Sequence, residues 1–341
     1  MKPGREEVLR VLEEAGEEGV PQSELSRLTS LSRSYVAELL KELEREGIVR
    51  RFRIGRRSFI VKLSRMLKPV EKPKVLELGV LRASEYVFLP LWRRMVRERG
   101  LDFRVTVYED ALTLTRDLAA GRLHLALSPL YTQVAVYSLT GGLKVIGGGS
   151  LGGAALVVRE TLKDVRDAEA IATTKVSTME FLLGVLAVSE LRGVGLSIKY
   201  IDHPEDAFYL LRRRLVDAVN MWEPYSSMLV MRGYRRGIDY SELVGSYYCC
   251  TLAASATLSE ERILEIRELY EKAIGESRGR FEDCAEQLAL MIGLPADVVK
   301  RTAGKYGFLE YVDIEILRES LKHGPRFLVN LTSAREALYS V

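Results

Sequence analysis

From residue 74 onward the sequence alternates short apolar runs with amphipathic stretches, and it does so twice. KVLELGVL, FRVTVYE and LHLALS have the length and composition of strands, while EYVFLPLWRRMVRERG and ALTLTRDLAAG between them repeat apolar residues at helical spacing. The same order resumes after residue 160, with AIATT, LSIKYID and VDAVNMW as strands and STMEFLLGVLAVSELRG and PEDAFYLLRRR as helices. Strands joined through helices run parallel with helices on both faces, so two successive α/β lobes with largely parallel sheets are expected. VIGGGSLGGAALVVRE and, later, YYCCTLAASATL are extended and apolar, as segments crossing to a second lobe and back must be. Four further helical stretches, beginning at Glu261, Phe281, Pro295 and Val312, are expected to pack on the first lobe.

At 341 residues the chain is too long for one ordinary core. Its first 65 residues read as a separate unit. Glu6 to Glu14 has an apolar stripe of Val8, Leu9, Val11 and Leu12, and a second short helix starts at Pro21. A third follows Ser32, which can cap it, with Val36, Leu39, Leu40 and Leu43 on one face and Gly47 at its end. IVRRFRI and SFIVKL then read as a hairpin. Between Arg45 and Arg65 lie eight Lys or Arg and one acid, Glu46, and such clustering suits phosphate contacts that release condensed counterions. Ser32, Arg33, Ser34 and Tyr35 open the third helix, where a recognition helix meets base edges. Arg53, Arg56 and Arg57 are candidates for the backbone or minor groove, and Arg50 and Arg51 are further candidates for DNA contact. MLKPVEKPK, rich in proline and lysine, reads as a linker. The expected division is 1–65, a linker 66–74, and a two-lobed unit 75–341, with lobe 1 at about 75–158 plus 250–341 and lobe 2 at about 159–249.

Two resemblances add to this reading. LSRSYVAELLKELEREGIVRR resembles the recognition helix and first wing strand of winged-helix regulators, including the multiple-antibiotic-resistance repressors. DLAAGRLHLALSP, IATTKVSTMEFLLGVL and LVDAVNMWEPY resemble the type II periplasmic-binding-protein fold, in the branch that binds nitrate, sulfonates, taurine and the pyrimidine precursor of thiamine. That family has a glycine-ended helix before a strand with a small residue at its tip, a Thr/Ser-rich turn opening the second lobe's main helix, and an Asp-Ala strand ending in Trp-Glu-Pro. Transport members carry a secretion signal or lipid anchor. This chain has the winged-helix-like stretch instead, which implies a cytoplasmic location. The fold class expected is therefore α/β: an N-terminal winged helix-turn-helix, then a two-lobed type II periplasmic-binding-protein-like domain with C-terminal helices.

In such sheets ligands sit beyond the carboxyl ends of the strands. Those ends offer Ser84, Glu85 and Tyr86, then Glu109 and Asp110, Ser128 and Pro129, and finally Asn220, Trp222 and Glu223. Thr174, Ser177 and Thr178 start a helix, where free N–H groups favour an anionic or acceptor group unless they form an ordinary cap. Trp222 is either an aromatic wall or core, and Glu223 either pairs with an amine or amidine-like nitrogen or bonds at the hinge. The GGGSLGG run, residues 147–153, lacks the Lys-Ser/Thr of a phosphate loop and fits a hinge or a close backbone approach. Cys249, Cys250 and Cys284 read as buried small residues, and His124, His203 and His323 are too scattered for a metal site. No nucleophile elbow or triad is expected, so neither catalysis, metal nor cofactor is. The yeast pyrimidine synthase that shares the fold has a cysteine-rich motif of which Cys249-Cys250 is only a fragment.

The function expected is a ligand-responsive transcription regulator. Its partners would be double-stranded DNA, a small polar or anionic metabolite and a second copy of the chain, without a membrane. The alternatives are a binding protein whose winged helix contacts proteins, or a cytosolic enzyme of thiamine-pyrimidine metabolism.

Overall fold

The computed structural model describes residues 4–53, 59–66, 73–191, 195–324, 329 and 331–339. The N-terminal unit runs α1 (Arg5–Ala15), β1 (Val20–Pro21), α2 (Gln22–Leu28), α3 (Arg33–Arg45), β2 (Val49–Arg53) and β3 (Phe59–Leu63). The strands form an antiparallel sheet in the order β1-β3-β2. Val8, Leu12, Leu25, Val36, Leu40, Leu43, Val49 and Val61 close a core of its own. Ser32 caps α3 by accepting from Tyr35 N, as its position before an apolar-periodic run predicts.

Lobe 1 begins with β4 (Val75–Leu81), α4 (Leu89–Glu98), β5 (Asp102–Tyr108), α5 (Ala111–Ala119), β6 (Leu125–Pro129), α6 (Leu130–Thr140) and β7 (Leu143–Gly152). Lobe 2 holds β8 (Ala154–Val158), β9 (Ala170–Thr173), α7 (Thr178–Ser189), β10 (Ser197–Tyr200), α8 (Pro204–Arg212), β11 (Ala218–Trp222), α9 (Tyr225–Met231), β12 (Arg235–Asp239) and α10 (Tyr240–Val244). The chain returns to lobe 1 with β13 (Tyr248–Ser255), α11 (Glu260–Ser277), α12 (Phe281–Ile292), α13 (Ala296–Ala303), β14 (Tyr306–Leu309), α14 (Ile314–His323) and α15 (Leu331–Ala337). The sheet orders are β14-β7-β13-β6-β4-β5 in lobe 1 and β10-β9-β11-β8-β12 in lobe 2.

Several expectations are corrected. The sheets are mixed: β4 pairs in parallel with β5 and β6, but β13 runs antiparallel to both β6 and β7 because it re-enters lobe 1 from the far side. The lobe boundary falls at Gly152–Gly153, not at 158, since Ala154–Val158 pairs inside the lobe 2 sheet. The helix expected from Glu85 starts at Leu89, and residues 83–88 form a buried loop at the cleft. The helix expected over 295–307 ends at Ala303, and Tyr306–Leu309 is an edge strand on β7.

The N-terminal unit rests on lobe 1 through the far end of α5. Arg122 Nη1 donates to Glu44 O at 3.3 Å, and a methyl group at Gly47 would stand 2.8 Å from Arg116 O. The other end of α5 opens at Asp110, which caps it by accepting from Thr113 N. Nine helical residues, spanning about 13 Å at 1.5 Å per residue, thus join the cleft to the N-terminal unit.

Candidate functional site

Where the two lobes face each other, a narrow cleft is lined by Leu81, Glu85, Glu109, Asp110, Ala111 and Pro129 from lobe 1's first half. Thr174, Ser177, Thr178, Met179 and Trp222 line it from lobe 2, and Cys249 and Cys250 from the returning strand. The walls are tied across the gap. Thr178 Oγ1 donates to Cys249 O at 3.2 Å, Thr132 Oγ1 to Val176 O at 2.6 Å, and Trp222 Nε1 to Arg82 O at 3.3 Å. The rings of Tyr131 on α6 and Phe181 on α7 stack at 4.2 Å. The lobes are therefore closed on each other here.

At the cleft floor Glu85 is 1% exposed. Ser150 Oγ donates to its carboxylate, and Cys249 Sγ lies 3.7 Å from its Oε1. Burial is the main influence and holds the carboxyl above its usual range, against the hydrogen bonds around it. Among the described residues no Lys, Arg or His pairs with it. The hydrogen bond with Cys250 draws the Cys249 thiol down, but burial and Glu85 outweigh it and leave the thiol at about 11. Burial pushes Cys250 well above the ordinary thiol value. One carboxylate oxygen and the two sulfurs all lie within 4.8 Å of one another, a grouping of potential metal ligands that scattered sequence positions did not reveal.

Glu109 is ion-paired but half satisfied as an acceptor: Arg82 Nη2 donates to its Oε1 at 2.7 Å, while its Oε2 is buried with no hydrogen-bond partner. Ser177 is the N-cap of α7, accepting from Glu180 N at 3.2 Å, and Glu180 reaches back to Val176 N. The ordinary cap reading of Ser177 is thus the observed one.

Other expected ligand residues turn away from the space. Ser84 Oγ accepts from Thr302 Oγ1 at 2.9 Å, and Tyr86 Oη donates to Leu127 O and Cys250 Sγ, each at 3.2 Å. Ser128 Oγ is bonded to Thr115 and Gln133, and Asn220 Nδ2 donates to Met179 O. Glu223, fully buried, is the hinge residue of the two roles left open for it, taking Arg236 Nη2 at 2.6 Å and Lys305 Nζ at 2.8 Å. Gly148-Gly149-Ser150-Leu151-Gly152 spells G-x-S-x-G, a match passed over in the sequence. Yet Ser150 stands within β7, bonded to Glu85 and to Cys250 N, so it forms no nucleophile elbow.

On the N-terminal unit, Ser32, Arg33 and Ser34 are exposed, while Tyr35 packs partly on the core. Arg51 is committed to Glu44, with Nε 2.9 Å from Oε2, because its place on β2 faces α3. Arg50 lies 5.0 Å over the Phe52 ring, and a methyl at Gly121 of lobe 1 would come 2.7 Å from its Nη1. Both thus make contacts within the molecule. Arg53's side chain, Arg56 and Arg57 lie outside the described residues.

A family model described as a domain of unknown function (DUF7343) matches residues 2–64. No curated protein gives a significant match. Among solved structures, the periplasmic aliphatic sulphonate binding protein SsuA from Escherichia coli is 20% identical with a TM-score of 0.63, over 79% of this chain and 93% of that one. A ligand-binding component of an ABC-type import system from Staphylococcus aureus, with zinc bound, is 14% identical with a TM-score of 0.64, over 79% and 100%. A Candida albicans protein described as showing the generic periplasmic binding protein fold is 12% identical with a TM-score of 0.58, over 79% and 92%. The two-lobed part of this chain has the periplasmic-binding-protein-like fold. Among the described residues no helix is long and apolar enough to cross a membrane.

Proposed function

We propose that this protein binds a small ligand carrying positive charge or hydrogen-bond donors between its lobes, and that a winged helix at its N-terminus couples this to DNA. The observation that carries the first part is the lining itself: Glu85, Glu109 and Asp110 face the space, and among the described residues no Lys, Arg or His does. Arg82 offsets the charge of Glu109 and burial favours the neutral form of Glu85, so the preference rests on acceptor atoms, Asp110 and the unpartnered Glu109 Oε2, which suit a donor-bearing or cationic group better than an anion. It favours the polar over the anionic side of the small polar or anionic metabolite expected from the sequence. Trp222 supplies an aromatic face suited to a cation or a flat cationic ring.

A thermal-shift screen of amines, amidines and aminopyrimidines beside nitrate, taurine and sulfonates tests it. A cationic compound at a hundredfold excess over its Kd adds about 2.7 kcal/mol of stability. The shift is expected to vanish in Trp222→Ala when each protein is compared with its own unliganded melt. Stabilisation by the anions alone would sink the charge assignment.

The second part is supported by the α-β-α-α-β-β order, the exposed Arg33 and Ser34 at the start of α3, and the run of α5 from the cleft to the α3–β2 turn. In selection from a random duplex pool the full chain is expected to enrich a motif. Arg33→Ala should flatten one position of that motif by about 1–3 kcal/mol. No retention of any duplex at 50 mM salt, where phosphate contacts are strong, would leave the N-terminal unit a protein-contact module.

A further inference from the structure

Cys249 and Cys250 are neighbours in a strand, where successive side chains point to opposite faces. Here they do not. Tyr248 pairs with Leu151 and Thr251 with Gly149, so β13 carries one residue more than β7 between these pairs. Such a bulge breaks the alternation and re-aims side chains. Both sulfurs consequently come within 4.8 Å of each other and of a Glu85 carboxylate oxygen contributed from 164 residues away. All three residues line the cleft, and each is at most 3% exposed. A buried carboxyl without a cation is costly, and packing alone gives no reason to gather it with two thiols.

We infer that Glu85, Cys249 and Cys250 form a binding site for a thiophilic metal ion, held by two thiolates and one carboxylate with its remaining position open to the cleft. This deepens the cleft reading above and rests on it: the positive charge that the acidic lining favours is the ion, alone or carrying a further ligand. Thiolate donors select zinc or copper(I) over magnesium or calcium. Three protein ligands and an open position are what a tetrahedral ion uses when it must also hold something else. Zinc–sulfur bonds of about 2.3 Å and zinc–oxygen bonds of about 2.1 Å place donors roughly 3.5–3.8 Å apart, within the present grouping after small side-chain rotations. Each thiol passes its proton to solvent as its sulfur–metal bond forms, and nothing is oxidised or reduced. Outer partners are in place. Ser150 donates to Glu85 and accepts from Cys250 N at 3.1 Å, while Tyr86 Oη reaches Cys250 Sγ.

The test is titration of the metal-free full chain with cobalt(II), followed by displacement with zinc(II), without any organic ligand present. One equivalent is expected, with the sulfur-to-cobalt charge-transfer band of a two-thiolate site. Cys249→Ser and Cys250→Ser are each expected to weaken binding at least a hundredfold and Glu85→Gln about tenfold, while Cys284→Ser, on α12, leaves it unchanged. A second measurement covers variants that fail to fold: X-ray absorption at the zinc edge of the unaltered protein loaded with one equivalent should show two sulfurs at about 2.3 Å. No binding, a cobalt spectrum unaffected by the cysteine substitutions, or a zinc shell without sulfur would overturn the metal site. If an amine or amidine still stabilised the protein through Trp222, the cleft reading would survive that failure.

Discussion

Replacing Arg236 and Lys305 together by methionine destabilises the protein by about 3–5 kcal/mol, read from urea midpoints at neutral pH. Both cations converge on Glu223 Oε1, at 2.6 and 2.8 Å, and Ser227 adds its hydroxyl to Oε1 at 3.0 Å and its N–H to Oε2 at 3.1 Å. The carboxylate is 0% exposed, while the side chains of Arg236 and Lys305 are 27% and 41% exposed. That asymmetry sets the order of effects. Without the cations the carboxylate is left uncompensated in the interior, whereas without the carboxylate the cations still reach water. Glu223→Gln is therefore expected to cost clearly less than the double substitution.

The pH dependence distinguishes the two cases. Burial pushes the Glu223 carboxyl up, but Lys305 and the serines outweigh it and hold it below its ordinary value of 4.5. A depressed carboxyl contributes stability that is present above pH 4.5 and lost as pH falls through the folded value. With both cations gone, burial dominates and the folded value rises above 4.5. The variant's deficit should then be smallest at or below pH 4.5 and grow as pH rises through the elevated value. Midpoints at pH 4, 5.5 and 7 that fall in parallel for both proteins would show that Glu223 is not held by these charges.

The sequence made the alternation of elements legible because helix faces, caps and strand runs are local. Ser32, Asp110 and Ser177 cap their helices, and Glu180, three residues after Ser177, reaches back to Val176 N. α6 was missed because LYTQVAVYSLT is buried on nearly all sides and so has no amphipathic stripe to betray it. β12 was missed for the opposite reason: RRGID is charged and only half-buried on an edge.

At the cleft, the rule of strand carboxyl ends found Glu85, Glu109, Asp110 and Trp222, which follow or end β4, β5 and β11. It also gathered Ser128 and Asn220, because strand-end position does not say which side of the pleat a residue takes. It missed Cys249 and Cys250 for a topological reason. β13 is antiparallel to β6, so its amino end meets the cleft, and no local pattern records strand direction. The bulge that brings the two sulfurs together depends on the register with β7, nearly a hundred residues earlier in the chain, and is equally silent in sequence.

Gly149→Ala is expected to cost about 3 kcal/mol or more, at the upper end of overpacking effects, because nothing near it can move aside. A methyl group there would lie 2.0 Å from Cys250 O and 3.0 Å from Cys250 C and Thr251 Cα, all backbone of β13. β13 is itself pinned by β6 on its other edge, so making room for the methyl means parting two central strands. Two controls calibrate the number. Gly152, with φ at +77° and its nearest neighbour 3.5 Å away, should lose only the roughly 1–2 kcal/mol of left-handed strain on substitution by alanine. Gly275, exposed in α11 with nothing within 4 Å, should gain about 0.5–1 kcal/mol from the same change. If Gly149→Ala instead matched Gly152→Ala, β7 and β13 would have to separate at little cost, and the bulge that aims Cys249 and Cys250 at Glu85 could not be rigid. The full penalty would mean that the backbone fixes the cleft floor before any ligand arrives.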